Sequence, residues 1–212
     1  MANVLTVVLG VWLVSVVAAG AAGIFEPAPS SPPLALLVAV VAPLLLFALV
    51  YRTSRSFRDF VLNIDLRLLI AMQSWRVIGG MFLALYAFGL LPGLFAYPAG
   101  IGDVAVGLAA PFVVLAMLRG APTWRRRVAW LNIAGLVDFA GAIGTGVVTS
   151  NSSLGLMADG APRASMGALP LSLVPTFGVP LWTIFHVISF LQLRHRIPLG
   201  GTVAVRPATA FR

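Results

Sequence analysis

The sequence predicts an all-α fold, a polytopic transmembrane helical bundle of six spans with its N and C termini in the cytoplasm. Of its 212 residues, 60% are hydrophobic and 9% are charged, whereas soluble domains carry about 25% charged residues. The apolar residues form six stretches near the length of about twenty residues that a helix needs to cross a hydrocarbon core. Arginine is concentrated in alternate connections between these stretches, which is typical of a membrane protein with a fixed orientation.

The six predicted spans follow one another within residues 1–198, which we expect to form a single transmembrane helical domain. Their approximate ranges are 4–25, 34–51, 66–95, 101–118, 128–149 and 169–193. The first span could instead be a signal peptide, because the segment VVAAGAAG offers small residues at a cleavage-like position. Its start carries no Arg or Lys, however, so we interpret it as a span. Residues 199–212 form a basic tail, which we expect to be flexible and cytoplasmic.

The connections between the spans differ in charge. The first is rich in Pro and Ser (EPAPSSPP), the third is an uncharged Pro/Gly turn over 92–102, and the fifth is a Gly/Ser loop over 151–167. Most cations lie in the second connection, the fourth connection and the tail, namely Arg52, Arg55, Arg58, Arg119, Arg125, Arg126, Arg127, Arg194, Arg196, Arg206 and Arg212. Because cytoplasmic loops concentrate Arg and Lys, these three segments should face the cytoplasm.

Composition also excludes several classes of function. The net charge of +8 would suit nucleic acid, but the arginines lie in short connections, so we interpret them as topology signals and expect no nucleic-acid partner. Cys is absent, which removes disulfides and thiolate metal sites, and Lys is absent, which removes a Schiff base. The abundance of Ala, Val, Gly, Pro and Arg is typical of a GC-rich bacterial genome. We therefore expect a multi-pass protein of the bacterial inner (cytoplasmic) membrane, in contact with the lipid bilayer.

Three ionisable side chains are predicted to lie at a similar depth in three different spans. Arg76 is about 15 Å into the third span, Asp138 about 16 Å into the fifth, and His186 about 12 Å from the end of the sixth. Gln73 shares a helical face with Arg76, and Asn132 lies on the same span as Asp138. A charge at the bilayer centre costs at least ~2.5–3.5 kcal/mol on insertion scales, so each charge needs a partner or a purpose. The sequence thus predicts an ion pair between Arg76 and Asp138, with His186 nearby.

Two interpretations of this cluster remain open. In the first, the pair only fixes helix packing, and His186 hydrogen-bonds to a neighbouring carbonyl group. In the second, the cluster is a binding or proton-relay site in which His186 changes charge, Asp138 stays ionised and Arg76 holds an anionic group. Pro175 and Pro180 would loosen the sixth helix beside it and free backbone carbonyls to line a cavity.

Asp103 and the small residues have mainly structural interpretations. Asp103 follows Gly100-Ile101-Gly102 at the predicted start of the fourth span, which favours a helix N-cap, with an outer vestibule as the alternative. Ala134, Asp138 and Ala142 recur at four-residue spacing, which predicts a close helix contact at Asp138. Glycines that lie close together in sequence are also interpreted as sites of close helix packing, namely Gly89 and Gly93, and Gly141, Gly144 and Gly146.

The sequence identifies no cofactor and no reaction. His186 and His195 are about 13 Å apart along one helix, so one haem cannot use both, and a haem on His186 and Met81 has no further support. No carboxylate and histidine cluster predicts a metal site, and no catalytic residue stands out. The sequence favours a small-solute or ion transporter. The alternative is a structural or accessory subunit of a homo-oligomer or larger membrane complex, and a membrane-embedded enzyme acting on a lipid ranks behind both.

Overall fold

The computed structural model describes residues 2–26, 31–150, 152, 154–155 and 165–195. Within these ranges the chain forms helices and no strands, and six helical spans are long and apolar enough to cross a membrane. The predicted all-α fold with six spans is therefore confirmed, and the chain is a multi-pass membrane protein. The predicted tail over 199–212 lies outside the described residues, as do Asp159 and Arg163 of the fifth connection.

The described ranges contain eight α-helices, one 3₁₀ segment and one π-helical turn, and all of these except the short helix Arg55–Leu62 belong to the six spans. The third span, Leu66–Ala87, contains the 3₁₀ segment, and the sixth span, Val174–Arg194, begins with the π turn. Along the chain the elements are α1 (Ala2–Ala21), α2 (Leu34–Thr53), α3 (Arg55–Leu62), α4 (Leu66–Met72), the 3₁₀ segment (Gln73–Gly80), α5 (Met81–Ala87), α6 (Gly93–Leu118), α7 (Trp124–Val148), the π turn (Val174–Gly178) and α8 (Val179–Arg194).

The third span begins at a side-chain cap. Asp65 is the N-cap of α4, and its Oδ1 accepts a hydrogen bond from the backbone N–H of Arg67 at 2.8 Å. The guanidinium of Arg67 also donates to this carboxylate, and that hydrogen bond lowers the pKa of Asp65 below its usual value. Because the carboxylate stays ionised, it remains a strong acceptor for the free N–H groups of the first helical turn.

The boundary between the third and fourth spans differs from the prediction. α5 ends at Ala87 because Gly89 adopts a left-handed conformation (φ 66°), a common way to terminate a helix. α6 begins at Gly93, after Pro92 in an extended conformation. The predicted Pro/Gly turn over 92–102 is therefore wrong. Most of it is helical, and Pro98 lies inside α6, as prolines do in membrane helices that neighbouring helices support.

Alternate connections meet at the same end of the bundle. At one end, which we call the arginine-rich end, Arg125 donates to the carbonyl oxygen of Leu193 at 2.5 Å, and Gln192 donates to the carbonyl oxygen of Ile64 at 2.8 Å. At the opposite end, Gly167 lies against the backbone of Phe25. The spans therefore run alternately up and down between these two ends.

The core lies around α6, and the first two helices are peripheral. α6 packs against the 3₁₀ segment, α5 and α7. This contact uses small buried residues, Ala96, Ala99, Gly100, Gly107 and Ala110, which let helix backbones approach closely in a membrane. α2 packs against α3, the π turn and α8, and Val40 is its buried residue. Most of the α2 surface is left for lipid or for the cavity described below.

Candidate functional site

Arg76 lies at the centre of a buried polar cluster in the third span. The residue belongs to the 3₁₀ segment and is 2% exposed. Its Nε donates to Oδ1 of Asp103 at 2.7 Å, and its Nη2 donates to Oδ2 of Asp138. The structure therefore contains the expected ion pair between Arg76 and Asp138. It also adds a second carboxylate, from α6, to the same guanidinium.

The third nitrogen of the guanidinium contacts the fifth and sixth spans. Nη1 donates to the carbonyl oxygen of Gly135 at 3.4 Å and lies 3.3 Å from Nε2 of His186. The guanidinium also lies over the ring of Phe139, with Cζ 3.9 Å from the ring centroid, a distance at which cations are attracted to aromatic faces. All three nitrogens have partners, so the guanidinium is held in one orientation.

The contacts of His186 require a neutral imidazole. Guanidinium nitrogens only donate, so Nε2 accepts and the ring proton lies on Nδ1. Nδ1 donates to Oδ1 of Asn132 at 2.8 Å, and Nδ2 of Asn132 donates to Oγ of Ser189 at 2.7 Å. His186, Asn132 and Ser189 are 0% exposed, so this chain of hydrogen bonds is completely buried. With both ring nitrogens engaged, His186 has no free lone pair for a haem iron, and the haem on His186 and Met81 does not fit.

The cluster contains one more carboxylate group than guanidinium groups. In the part of the chain that the structure describes, Arg76 is in contact with two carboxylates and with a neutral imidazole. One guanidinium and two ionised carboxylates give a formal charge of −1. Because a net charge within the hydrocarbon region costs at least ~2.5–3.5 kcal/mol, the cluster favours uptake of one proton or one monovalent cation.

A cavity of about 530 Å³ connects this cluster with the opposite end of the bundle. At that end its lining includes Phe25, Glu26, Pro92 and Ser150, which we call its mouth, and Arg76 and Asp103 line the part beside the cluster. The walls are mostly apolar and come from α2 and from the third to the sixth spans. They include Leu36, Leu37, Val40, Trp75, Ile78, Met81, Phe82, Phe95 and Trp182.

Three glycines make room for the charged side chains. A Cβ atom at Gly79 would collide with the carboxylate of Asp103, and one at Gly102 would collide with the carboxylate of Asp138. A Cβ atom at Gly135 would collide with the ring of His186 and lie 2.7 Å from Nη1 of Arg76. The cluster therefore depends on bare backbone in the third, fourth and fifth spans.

The predicted role of the other glycines in helix packing is largely wrong. No described neighbour lies within 4 Å of a Cβ atom placed at Gly89, Gly141 or Gly144. Gly146 and Gly93 would meet only side-chain rings, at 3.5 Å and 3.0 Å. The expected close helix contact at Asp138 is present, because Gly102 of α6 lies against its carboxylate and Ala142 packs against the core. Ala134 is exposed and takes no part in it.

Asp103 is not the N-cap that the sequence favours. α6 begins ten residues earlier, at Gly93, so Asp103 lies about 15 Å into the span. Its side chain pairs with Arg76 and is 14% exposed. Gln73 is buried one turn before Arg76, and its Oε1 has no hydrogen-bond partner among the described residues. The structure thus brings Arg76, Asp103, Asp138, His186 and Asn132 into one hydrogen-bonded network, and places Gln73 outside it.

Sequence reasoning missed Gly135, Phe139 and Ser189 as members of the site. Asn132, Gly135 and Phe139 recur on α7 at spacings of three and four residues, and Ser189 lies three residues after His186. Such spacing places residues on one helical face, so a search for neighbours of the predicted polar residues would have found them. Within the described ranges, no group of three or more His, Asp or Glu side chains could hold a metal ion.

A comparison with protein families identifies a family model that covers most of the chain, including this site. The model of a family described as "Domain of unknown function (DUF8737)" matches residues 32–194. The chain belongs to this family. The matched region includes five of the six spans and every residue of the Arg76 cluster. No curated protein and no solved structure matches the chain.

Proposed function

We propose that this DUF8737 protein is a proton-responsive transporter that binds a small solute in the cavity beside Arg76. The observation that carries this proposal is the cavity of about 530 Å³, which leads from one end of the bundle to a buried cluster with an excess carboxylate. A structural ion pair needs neither a cavity nor a second carboxylate. Intramembrane ionisable groups that line a cavity mark substrate and proton pathways.

The proposed proton acceptor is the carboxylate pair rather than His186. An imidazolium could not accept the hydrogen bond from Nη1 of Arg76, and its charge would lie 3.3 Å from the guanidinium. A proton on Asp103 or Asp138, by contrast, leaves the guanidinium with one ionised partner and brings the cluster to neutrality. Of the two, Asp103 lines the cavity and is the one that water and solute reach.

The proposed orientation follows from the arginines. The arginine-rich end faces the cytoplasm of a bacterial inner membrane, because cytoplasmic segments concentrate Arg. The cavity opens at the opposite end, so it would receive solute from outside the cell. Alternating access would then require α2, which packs loosely, to move relative to the third span.

The test is solute-dependent proton movement in liposomes. Purified protein is reconstituted with a pH indicator inside, and panels of cationic, neutral and anionic solutes are added under an imposed pH gradient. We expect at least one class to change proton flux in wild type, and Asp103→Asn to reduce this flux at least about tenfold. Asp59→Asn is the matched control, because Asp59 is an exposed carboxylate near the arginine-rich end. It should behave as wild type.

The alternative, a structural or accessory subunit, is favoured by one observation. Arg76 is buried and all of its nitrogens already have partners, as in a network that only locks helices together. If no solute changes proton flux while wild type and Asp103→Asn are equally well folded, the accessory role is the better explanation. Crosslinking in the native membrane would then be the next measurement, since a subunit of a complex must have a partner.

A further inference from the structure

We propose that the ligand of the cavity is a monovalent organic cation with an apolar body, which takes the place of the proton on the Arg76 cluster. This inference rests on the proposed function, because it names the class of solute. Three features of the cavity lead to it: the sign of the charge that it presents, the nature of its walls and its size.

The accessible charges of the cavity are negative. Glu26 lies at the mouth and Asp103 lies at the inner part, and Arg76 is the one described cation that lines it. The Arg76 side chain is 1% exposed and is fully engaged, whereas the Asp103 side chain is 14% exposed. Among the described residues, Oδ2 of Asp103 receives no hydrogen bond. That oxygen lies against the bare backbone of Gly79. An anion would therefore find no free donor on Arg76, but a cation would find the partly exposed carboxylate of Asp103.

The walls suit an apolar cation better than a hydrated metal ion. Trp75, Trp182, Phe82 and Phe95 line the cavity, and aromatic faces attract cations that have shed their water. Nε1 of Trp182 donates to the carbonyl oxygen of Met72 at 3.2 Å, which fixes the orientation of that ring. Hard metal ions require several oxygen ligands at one place. Apart from Asp103, the side chains of the lining that carry oxygen belong to the opposite end of the bundle, namely Glu26, Thr149, Ser150 and Ser165. An organic cation supplies its own apolar surface and needs only one counter-charge.

The size of the cavity fits one small organic molecule. Ligand pockets in proteins commonly measure about 300–1,000 Å³, and this cavity measures about 530 Å³. The cluster can be neutralised once, either by a proton or by the bound cation. When the cation binds beside Asp103, the proton leaves that carboxylate for water, and the total charge of the site stays the same.

The titratable groups around Asp103, where the proton and the cation would exchange, come from several helices. Asp103 is on α6, Asp138 on α7, His186 on α8 and Arg76 on the 3₁₀ segment, and Glu26 lies at the mouth. His186 accepts from Arg76 and remains neutral, and Arg76 remains charged. The exchange therefore concerns the two aspartates of the cluster, and cation affinity should fall as the pH is lowered and protons compete.

The experiment measures binding in detergent micelles, with tetraphenylphosphonium as the probe and tetraphenylborate as its control. The two ions have the same shape and opposite charge. Equilibrium dialysis should show saturable binding of the cation to wild type, at least about tenfold weaker at pH 5 than at pH 8. About one proton should be released per cation in weak buffer at pH 5, and fewer at pH 8. The anion should show no saturable binding beyond its partition into micelles.

Two variants test the site, so that the test does not fail if one of them does not fold. Asp103→Asn should weaken cation binding at least about tenfold and abolish proton release. Leu37→Trp should also weaken binding, because it fills the cavity and leaves all charges in place. Leu45→Trp is its matched control on the same helix, since Leu45 is 64% exposed and does not line the cavity. Equal binding of both ions, or cation binding that Leu37→Trp leaves unchanged, would overturn the proposal.

The result also separates this inference from the proposed function. If the cation binds and releases a proton but crosses no membrane, the cation site stands and transport fails. If a neutral or anionic solute drives proton flux while tetraphenylphosphonium does not bind, transport stands and the cation site fails.

Discussion

At the scale of single residues, the charge balance around Arg76 determines what each substitution costs. With Asp138 as the single partner, Asp138→Asn would leave a buried guanidinium without a counter-charge. The structure changes this expectation, because Asp103, which lies 2.7 Å from Arg76, would remain as a counter-charge. Loss of Arg76, by contrast, would leave two carboxylates facing each other in an apolar interior. Arg76 is therefore the residue on which the cluster depends most.

We predict that Arg76→Gln destabilises the protein more than Asp138→Asn does. Arg76→Gln should cost about 3–5 kcal/mol, since it strands buried charges. Asp138→Asn should cost about 1.5–3 kcal/mol, the range for a lost hydrogen bond to a charged group. The double variant should recover part of the loss. Unfolding in mixed micelles, followed by circular dichroism, gives the values.

The matched control for this series is Arg67→Gln. Arg67 lies in the same span, but its side chain is 39% exposed and pairs with Asp65 at the surface, so little change is expected. If the two single losses at Arg76 and Asp138 simply add in the double variant, the residues are not coupled and the ion pair has no energetic role.

At the scale of helices, periodicity and length predicted the elements well and predicted their contacts less well. The apolar runs indicate six spans because a helix must be about twenty residues long to cross the membrane. The depth of Arg76, Asp138 and His186 also follows from residue counting at a fixed rise per residue. Asp103 was predicted as an N-cap because the Gly- and Pro-rich segment before it resembles a turn. That segment is helical because neighbouring helices support Pro98 within α6. Such support is a tertiary effect, which the local sequence does not show.

The close approaches between helices could not be predicted from glycine spacing. Gly141 and Gly144 resemble packing glycines in sequence, yet a Cβ atom at either position would have no described neighbour within 4 Å. Gly135 stands alone in sequence and is crowded by two polar side chains. A glycine of α7 is crowded only if it lies on the helix face that meets the third and sixth spans. The tertiary packing of those spans determines which face that is.

We predict that Gly135→Ala destabilises the protein by about 1–3 kcal/mol, the range for overpacking a filled interior. The new methyl group would displace the ring of His186 and the guanidinium of Arg76. Gly141→Ala, on the same helix, should be neutral or should stabilise by up to about 1 kcal/mol, because Ala favours a helix more than Gly does. The same unfolding assay measures both variants, and equal effects at the two positions would contradict the described packing of α7.

At the scale of the whole molecule, the two ends of the bundle differ in charge and in openness. At the arginine-rich end, hydrogen bonds from Arg125 and Gln192 join separate parts of the chain. The opposite end contains the mouth of the cavity and the carboxylate of Glu26. The arginines and the mouth of the cavity lie at opposite ends of the bundle. The orientation of the protein in the membrane therefore determines from which side a solute can enter the cavity.

We predict that a cysteine at Ser56 reacts with a membrane-impermeant thiol reagent only from the cytoplasm, and that a cysteine at Pro32 reacts only from outside. Both positions are exposed, Ser56 in the second connection and Pro32 before α2, and the chain has no Cys of its own, so each variant carries a single thiol. Labelling of intact cells against inverted membrane vesicles makes the measurement. A cysteine at Val137, exposed within the hydrocarbon region, is the control and should react from neither side. Labelling of Ser56→Cys in intact cells would invert the topology and make the cavity open toward the cytoplasm.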